Sequence, residues 1–415
     1  MAYKKRTKEQ LDLLVDDLEE YLKQHPDEDK HNLQELQRYH RKARGMEQGH
    51  KNAPEGARKY WQIVTANPDD PENPIRTTAY GGVVGGEESV DSLFPQVESS
   101  KITPTKRKRP ERTFELREGY GDGQVDFRLI RDPRTMETKV VPLHNVEMHR
   151  IILQMNAHYM PNTTINGGDF ADFSASSRFP ADSDHFNGSM TLAMQWIHDF
   201  YSQMVADNPN AEHVEVASNH ADRPRKKVLA VAPEFYNFRR PNEDYPAWTY
   251  YSMARLGELG IKHISGYPNG EYITGDEGYP QVLWKHGDFV GNNAVYKEAD
   301  KNPTINVIRW HNHGERQIKR TTREGQQLFY LILGSSCLNG GPTPAYRNSI
   351  DDMNQPVAYH NQDHVNSFVM HKDYGQGRYE NITVDVVDGK SYYDGYEWDG
   401  TQPYEWERKY GYLNE

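Results

Sequence analysis

Residues that can bind a divalent cation follow five short strand-like runs of this sequence. They are His144, Asp169 with Asp172, Asn219 with His220, His286, and His311 with His313. In open α/β sheets the carboxyl ends of the strands converge on one crevice, so residues distant in sequence can meet there. Each position alone has an ordinary explanation, such as a buried histidine at His144 or a helix cap at Asp169. Their joint occurrence at strand ends predicts a metal centre with imidazole and oxygen ligands.

The elements that must position these side chains begin after about Tyr120, where short apolar runs alternate with amphipathic stretches. This alternation is typical of a layered α/β domain. One predicted helix carries an apolar stripe of Met148, Ile151, Ile152 and Met155, and the next carries Ala193, Ile197, Phe200 and Met204. Near the C-terminus, Asp388-Gly389 predicts a hairpin turn.

Composition narrows the class of protein. The chain has 415 residues, a net charge of -12, 18 histidines and a single cysteine, Cys337. One cysteine excludes an internal disulfide and a thiolate zinc cluster. No apolar run approaches the roughly 18 residues that span a bilayer, so we expect a cytoplasmic protein without a membrane partner, in the host cytoplasm if the protein is viral. The acidic net charge argues against unspecific coating of nucleic acid, although a local basic patch could still bind it.

The N-terminal region has a different texture. Thr7 and Gln10 form a capping box, and leucines at helical spacing predict a helix over 7–24, followed by a second helix that ends near Gly45. The pair is either a helix-turn-helix that binds DNA or a helical hairpin used for docking. Residues 51–115 are rich in Pro, Gly and charge and predict a linker that contains the basic cluster Lys106–Arg109. We therefore expect a helical arm over 1–50, a linker over 51–115 and a catalytic domain over 116–415.

Five strings of this sequence resemble the signature of the calcineurin-like metallophosphoesterases, which is D-x-H, GD-x-x-D, GNH(D/E), a lone H, and GH-x-H. The corresponding strings are PLH (142–144), GDFAD (168–172), SNHAD (218–222), KHGD (285–288) and WHNH (310–313). The layout is most similar to members encoded by tailed bacteriophages, in which such a domain follows an N-terminal arm. The resemblance implies an α/β fold, a two-sheet αββα sandwich with an N-terminal helical arm.

The same resemblance implies roles for the candidate residues. Asp169 would bridge two divalent metal ions, with His144 and His313 on the first and Asn219, His286 and His311 on the second. His220 would donate a proton to the leaving oxygen, and Asp172 would orient His220. Two such ions stabilise both apical oxygens of an in-line displacement and supply a metal-bound hydroxide as nucleophile. Ligands of this kind favour manganese, with iron or zinc as alternatives.

Three residues depart from the signature. Pro142 stands where the family has a metal-binding Asp, so the first site is expected to be weak, to recruit another acid such as Glu147, or to be empty. Ser218 and Trp310 replace glycines. Arg178 and Arg223 follow two of the motifs and either clamp a phosphate or form surface ion pairs.

The expected function is metal-dependent hydrolysis of a phosphoester, with phosphodiesters of nucleic acid or nucleotides as the favoured substrates. Trp310, Tyr159 and Phe170 are candidates for stacking on a base, with core packing as the alternative. Phosphomonoester hydrolysis would need the same metals. The alternative from another class is a degenerate scaffold that serves as a DNA-binding or virion-associated module. The sequence does not indicate an oligomeric state.

Overall fold

In a computed structural model of the chain, the described residues are 61–65, 75–79, 97–131, 138–176, 189–239, 243–338, 349–350, 356–358 and 364–413. The chain divides into two units, Met1–Leu93 and Phe94–Glu415. In the first unit, β1 (Trp61–Thr65) pairs antiparallel with β2 (Ile75–Ala79). The helices predicted within residues 1–50 lie outside the described residues. The β1–β2 pair lies inside the predicted linker, and the three-part division of the chain stays a prediction.

Two sheets form the second unit. The larger sheet contains, in spatial order, β17 (Tyr379–Asp385), β16 (Ser367–Asp373), β3 (Glu115–Tyr120), β6 (Thr163–Asn166), β7 (Glu212–Val216) and β8 (Lys262–Ile264). The smaller sheet contains β12 (Arg316–Thr321), β13 (Gln327–Ile332), β11 (Asn306–Arg309), β10 (Val282–Lys285) and β9 (Glu271–Thr274). The run from β3 to β8 is parallel, as are β10, β11 and β13. Parallel pairing places the carboxyl ends of these strands at one edge of each sheet.

A buried apolar layer joins the two sheets. It contains Ile165, Val214, Val216, Val369, Trp284, Ile308, Trp310 and Leu331. Gly167 permits the closest approach, because a Cβ atom there would lie 1.9 Å from the Trp310 ring. The glycine that follows β6 is therefore required by the packing of one sheet on the other.

Helices cover the outer faces of both sheets. On the larger sheet, α1 (Val146–Tyr159) and α2 (Ser189–Asp207) pack against the face that carries Leu116, Tyr120 and Met370. The Asn145 side chain begins α1 by accepting a hydrogen bond from the Met148 N–H at 2.9 Å. Two further helices, α3 (Arg223–Val231) and α4 (Tyr250–Met253), follow β7. On the smaller sheet, α5 (Ala294–Lys301) packs against Leu283, Val307 and Tyr330.

These four layers, helix, sheet, sheet and helix, confirm the predicted αββα sandwich. Helices α1, α2 and α5 bury apolar side chains against a sheet, whereas α3 buries only Pro224. Within the described part of the chain, no helix has the length and apolar character needed to cross a membrane.

Three two-stranded sheets accompany the sandwich. They are β4 (Phe127–Arg131) with β5 (Thr138–Pro142), β14 (Ser349–Ile350) with β15 (Pro356–Ala358), and β18 (Lys390–Tyr393) with β19 (Tyr396–Asp399). The strand predicted at 140–144 is therefore a hairpin strand and belongs to neither large sheet. The predicted turn at Asp388-Gly389 is confirmed, since both residues have positive φ (49° and 71°) between paired Val387 and Lys390.

Candidate metal centre

The loops at the carboxyl edge of the two sheets bring most of the predicted residues together. Asp169 follows β6, Asn219 and His220 follow β7, His286 follows β10, and His311 and His313 follow β11. Because these strands are parallel within their sheets, their following loops meet at one edge. This is the convergence that the spacing along the chain predicts.

Four of these residues, which we call the complete half, surround one point. They are Asp169, Asn219, His286 and His311. His286 Nε2 lies 3.2 Å from Asp169 Oδ2, 2.9 Å from Asn219 Oδ1 and 3.1 Å from His311 Nδ1. Ligand atoms of Asp169, His286 and His311 all lie within 4.8 Å of one another. A cation at this point would have two nitrogen and two oxygen ligands.

The donor set fits a divalent cation better than it fits hydrogen bonding. A single imidazole nitrogen carries at most one hydrogen and cannot serve three partners at once. Burial, reinforced by the charge of His286, lowers the pKa of His311 to about 3, so this ring is neutral and keeps a lone pair for a metal. The Nδ1 atom of His286 contacts the Gly167 carbonyl at 2.9 Å, which orients the ring in the way that ligand histidines require.

His220 lies beside the complete half and contacts both expected carboxylates. Its backbone N–H donates to Asp169 Oδ1 at 2.8 Å, and its Nδ1 lies 2.9 Å from Asp172 Oδ1. The Arg223 guanidinium reaches the same place, 2.6 Å from His220 Nε2 and 3.1 Å from Asp172 Oδ1. Burial opposes ionisation of Asp172, but hydrogen bonding to His220 and the charge of Arg223 outweigh it and lower its pKa. The roles predicted for these residues stay predictions, and their geometry suits an oriented imidazole.

Three further residues beside the complete half form what we call the altered half, namely Asp122, Gln124 and His313. Asp122 Oδ2 accepts a hydrogen bond from the His311 N–H at 2.7 Å, and Asp122 Oδ1 lies 3.8 Å from His313 Nε2. Among the described residues, Oδ1 of this buried carboxylate accepts no hydrogen bond. Burial raises the pKa of Asp122 to about 7. A buried oxygen without a donor is the feature that a second cation would satisfy.

Gln124 distinguishes the altered half chemically. Its Nε2 lies 3.1 Å from His313 Nε2, so the amide donates to the lone pair that a metal would use. The loop backbone holds this residue beside the bridge candidate, since the Gln124 N–H donates to the Asp169 carbonyl at 2.8 Å. Gln124 would have to turn its amide and present its oxygen before a cation could bind here.

His144 is not brought into the centre, which corrects its assignment as a ligand. Its ring packs at 4.7 Å from the Trp196 ring and 5.2 Å from each of the Phe127 and His149 rings, between ring centroids. The Nδ1 atom contacts the Asp126 carbonyl at 3.2 Å, and Nε2 has no hydrogen-bond partner among the described residues. Burial lowers its pKa to about 3. His144 is a core histidine, which is the ordinary explanation weighed for it above.

The interpretation of Pro142 as a missing ligand changes with this placement. Pro142 ends β5, whose only strand partner among the described residues is β4. Glu147 does not replace a ligand either, because its carboxylate lies against the turn at Gly389. The loop after β3 contributes to the centre instead, since its Asp122 and Gln124 lie beside His313. The sequence Gly-Asp-Gly-Gln directly after β3 could have identified this loop as part of the centre. The polar residues Arg117 and Glu118 made β3 hard to recognise as a buried strand.

The backbone of the centre is strained. The residues with positive φ at this edge are Asp122, Gln124, Asp169, His311 and His313. A positive φ is unfavourable for residues with a Cβ atom and persists where surrounding contacts impose it. Ser218 contributes one such contact, since its hydroxyl accepts a hydrogen bond from the Asp169 N–H at 2.7 Å. The loops are thus built to aim side chains at a common point.

The remaining candidates divide between the core and the site. Arg178 lies outside the described residues. Trp310 and Phe170 are fully buried and Tyr159 packs in the core, so none of them presents a ring face to a ligand. The half-buried Tyr267, which the sequence did not single out, lies beside the centre with its ring 5.9 Å from the His286 ring.

A buried ionic network supports the strands that carry two of the histidines. Glu298 lies 3.3 Å from Lys285 Nζ and 3.1 Å from Arg309 NH1 through its two carboxylate oxygens. All three side chains are at most 1% exposed. Lys285 directly precedes His286, and Arg309 ends β11 two residues before His311. The network therefore fixes the ends of β10 and β11.

Comparison with known proteins rests on structure, since no protein-family model and no curated protein matches the sequence. A predicted phosphoesterase from Streptococcus pneumoniae is similar at 11% identity and a TM-score of 0.22, over 66% of this chain and 99% of that one. The E. coli phosphoesterase Yfce is similar at 10% identity and a TM-score of 0.27, over 66% and 100%. Haemophilus influenzae NAD nucleotidase is similar at 9% identity and a TM-score of 0.27, over 72% of this chain and 55% of that chain. The relation to bacteriophage proteins stays a prediction.

Proposed function

We propose that this chain is a metal-dependent phosphoesterase. One observation carries the proposal: the side chains of Asp169, Asn219, His286 and His311 converge on one point beside an imidazole paired with a carboxylate. Neutral imidazoles, carboxylates and an amide oxygen are ligands for manganese, iron or zinc. Asp122, Gln124 and His313 would hold a second ion beside the first.

When bound, such ions polarise the phosphoryl oxygens and lower the pKa of water that would act as the nucleophile. The side chains of the chain then have separate tasks. Asp169 directs its Oδ2 at His286 Nε2 in the complete half and fixes the backbone of His220 through its Oδ1. The Asp172 carboxylate lies 2.9 Å from His220 Nδ1, which places Nε2 on the side of the ring away from that carboxylate.

The proposed reaction forms one bond to phosphorus and breaks another. The oxygen of a water molecule that has released one proton to solvent attacks phosphorus, the phosphorus–oxygen bond to the alcohol breaks, and the departing oxygen takes a proton from His220 Nε2. His220 then regains a proton from solvent. Arg223 donates to that same nitrogen in the present arrangement, so its guanidinium occupies the position expected of the phosphate and leaving group. We infer that Arg223 turns to the phosphate when substrate binds, a contact that planar guanidinium groups favour.

The substrates proposed are phosphodiesters of nucleic acid or nucleotides. The half-buried Tyr267 beside His286 offers a ring for a base or sugar, which a small aliphatic ester would not use. Phosphomonoester hydrolysis would use the same residues. The cytoplasmic location predicted from the sequence is part of this proposal.

Metal content and turnover test the proposal together. The purified chain should bind manganese, measured by elemental analysis after dialysis, and should hydrolyse bis-nitrophenyl phosphate in its presence. Asp169→Asn should lose most of both, because it removes the carboxylate charge that faces His286 in the complete half. His158→Ala is the matched control, since it removes an exposed imidazole at the carboxyl end of α1, away from the centre.

A folded chain that binds metal without hydrolysing either a nitrophenyl diester or a nitrophenyl monoester would contradict the proposal. That result would favour the scaffold alternative, in which the fold is retained for binding. The structure argues against this alternative, because a binding module has no use for the oriented pair of His220 and Asp172.

A further inference from the structure

Two basic segments of the second unit have opposite surroundings. The first, which we call the strap, covers residues 101–112 and includes the basic cluster Lys106–Arg109. Its arginines bind backbone carbonyls: Arg107 binds that of Ala157, in the last turn of α1, at 3.4 Å, and Arg109 binds that of Asn210, in the turn between α2 and β7, at 2.7 Å. Arg112 binds the carbonyls of Tyr159 and Met160 at the end of α1. Cations are stabilising at the end of α1 because the last carbonyls of a helix lack partners.

The strap lies at the edge of the sheet opposite the candidate metal centre. The carbonyls that it binds directly precede β6 and β7, whereas the centre is formed by residues that directly follow β3, β6 and β7. A strand of about five residues separates these edges by roughly 17 Å. The arginines of the strap therefore stabilise the fold and do not contact a substrate at the centre.

The second basic segment begins at the centre itself. It covers Arg223–Arg239, comprising α3, a 3₁₀ turn over Pro233–Phe235 and the four residues that follow. We call this segment the arm; it is separate from the helical arm predicted over residues 1–50. The arm contains five basic residues and one acidic residue in a chain whose net charge is -12. Arg223, its first residue, contacts His220. The positive charge is therefore concentrated where a phosphoester would enter.

The side chains of the arm change from basic to apolar along its length. Lys226 is 60% exposed, with its ammonium 3.1 Å from Asp222, and Lys227 is also exposed. Beyond them Val231 is 70% exposed and Phe238 is 42% exposed. The Phe238 ring lies 6.0 Å from the Phe235 ring. Cations followed by exposed apolar and aromatic groups suit a ligand that carries phosphates and also exposes ring faces.

We propose that the arm binds a single strand of nucleic acid and leads its phosphodiester backbone to the candidate metal centre. This rests on the proposed function, because it supplies the substrate of the same site. Phosphates lie along Lys226 and Lys227, and bases pack on Val231 and Phe238, while Arg225 stays paired with Asp222. Single strands expose the faces of their bases, whereas a duplex hides them in its stack, so the apolar half of the arm selects the single strand.

The test measures binding of a fluorescent single-stranded DNA of about 12 nucleotides, a length that matches the sites of single-strand binding proteins. A phosphorothioate backbone keeps the charge and resists hydrolysis, so binding is measured by anisotropy on the metal-loaded chain. The double substitution Lys226→Glu with Lys227→Glu should weaken binding at least about tenfold. Its slope of log affinity against log salt should fall by about 1.4, as expected for two lost phosphate contacts on a single strand.

Phe238→Ala should lower the affinity for the single strand by roughly 5- to 150-fold, the range expected for one lost stacking contact. It should leave the dependence of that affinity on salt unchanged. The matched control is Lys106→Glu with Lys108→Glu, the same change of charge in the strap, which should alter affinity less than about twofold. Both double variants change exposed lysines, so a comparable thermal melting temperature shows that each has folded.

The proposal is overturned if the strap variant lowers the affinity for the single strand as much as the arm variant does, or if neither variant lowers it. Equal affinity for a duplex of the same length overturns the choice of a single strand. Self-association that depends on Phe238, with strand binding unchanged, assigns the surface to a second copy of the chain instead. The measurement needs no turnover, so it stays distinct from the test of phosphoester hydrolysis.

Discussion

The complete half and the altered half of the candidate metal centre share Asp169 but differ in the ligands that surround it. In the complete half, Asn219, His286 and His311 direct an oxygen and two nitrogens at one point within hydrogen-bonding distance of each other. In the altered half, Asp122 and His313 are accompanied by Gln124, whose side chain is an amide and not an imidazole. Its amide donates to His313 Nε2, so the resting structure already occupies a lone pair that a metal would need.

This difference shows how a site is weakened without losing its fold. Replacing an imidazole by an amide removes a stronger ligand and adds a hydrogen-bond donor that must be turned aside. Metal affinity is lowered in the altered half alone, because no amide donor occupies a ligand nitrogen in the complete half. We therefore expect the two metal ions to bind with unequal affinity, the tighter one in the complete half.

The largest expected effect comes from breaking the complete half. His286→Ala removes the nitrogen that contacts three other ligand candidates, so we expect the tighter ion to be lost from the dialysed protein. Its affinity should fall by more than the 10- to 100-fold that loss of an outer partner usually costs. His313→Ala should remove less metal, as measured by titration with manganese. Equal loss in the two variants would show that the halves bind metal equally well.

The next effect concerns the proton donor beside the complete half. His220→Asn should slow cleavage of an alkyl phosphodiester by roughly 10²- to 10⁴-fold, the usual contribution of a general acid. A nitrophenyl ester should be largely spared, because its leaving group departs without a proton. Asp172→Asn should show the same pattern more weakly, since Asp172 only orients the ring. Loss of metal or equal slowing of both esters would make His220 a ligand or a phosphate contact.

A third effect tests the buried ionic network at the ends of β10 and β11, the strands that precede His286 and His311. Glu298→Gln leaves Lys285 and Arg309 buried without their shared carboxylate, which typically costs about 3–5 kcal/mol of unfolding free energy. Denaturant unfolding measures this loss. The matched control is Asp300→Asn in the exposed pair with Arg320, for which we expect about 0–1 kcal/mol. A loss at Glu298 no larger than the control would mean that the network does not stabilise these strands.

A smaller effect should sharpen the altered half. Gln124→His introduces an imidazole and removes the amide donor, so we expect roughly tenfold tighter binding of the second manganese ion, within the range of a single changed partner. Asp122→Asn should have the opposite effect on the same ion. Unchanged binding in a folded Gln124→His protein would show that Gln124 does not limit this half.

The smallest expected effect is the most direct check on the correction at His144. Because its ring packs against Trp196 and Phe127, His144→Gln should leave manganese binding unchanged while lowering the melting temperature. Pro142→Asp should likewise fail to strengthen metal binding, since Pro142 ends a hairpin strand outside the two large sheets. A change in metal binding in either variant, with the fold intact, would show that the substituted residue contributes to the metal centre.

The sequence by itself determined the layered α/β architecture and the four residues of the complete half. Asp169, Asn219, His286 and His311 follow strands, and strand ends in parallel sheets meet whatever the details of packing. The turn at Asp388-Gly389 was likewise predicted, because its backbone requires two positive φ angles that few residue pairs accept. These features depend on local patterns and on a general rule of topology.

Only the tertiary structure decided which strand begins the centre. VVPLH looks more like a buried strand than ELREGY does, because apolar runs signal burial and β3 carries Arg117 and Glu118. Arg117 is buried and pairs with two carboxylates, Glu115 on its own strand and, at 2.8 Å, Asp373 on β16, which is distant in sequence. The same holds for the two basic segments: backbone carbonyls accept hydrogen bonds from the arginines of the strap, while the lysines of the arm stay exposed. Residue type was visible in the sequence, whereas burial and partners were set by contacts between segments far apart in the chain.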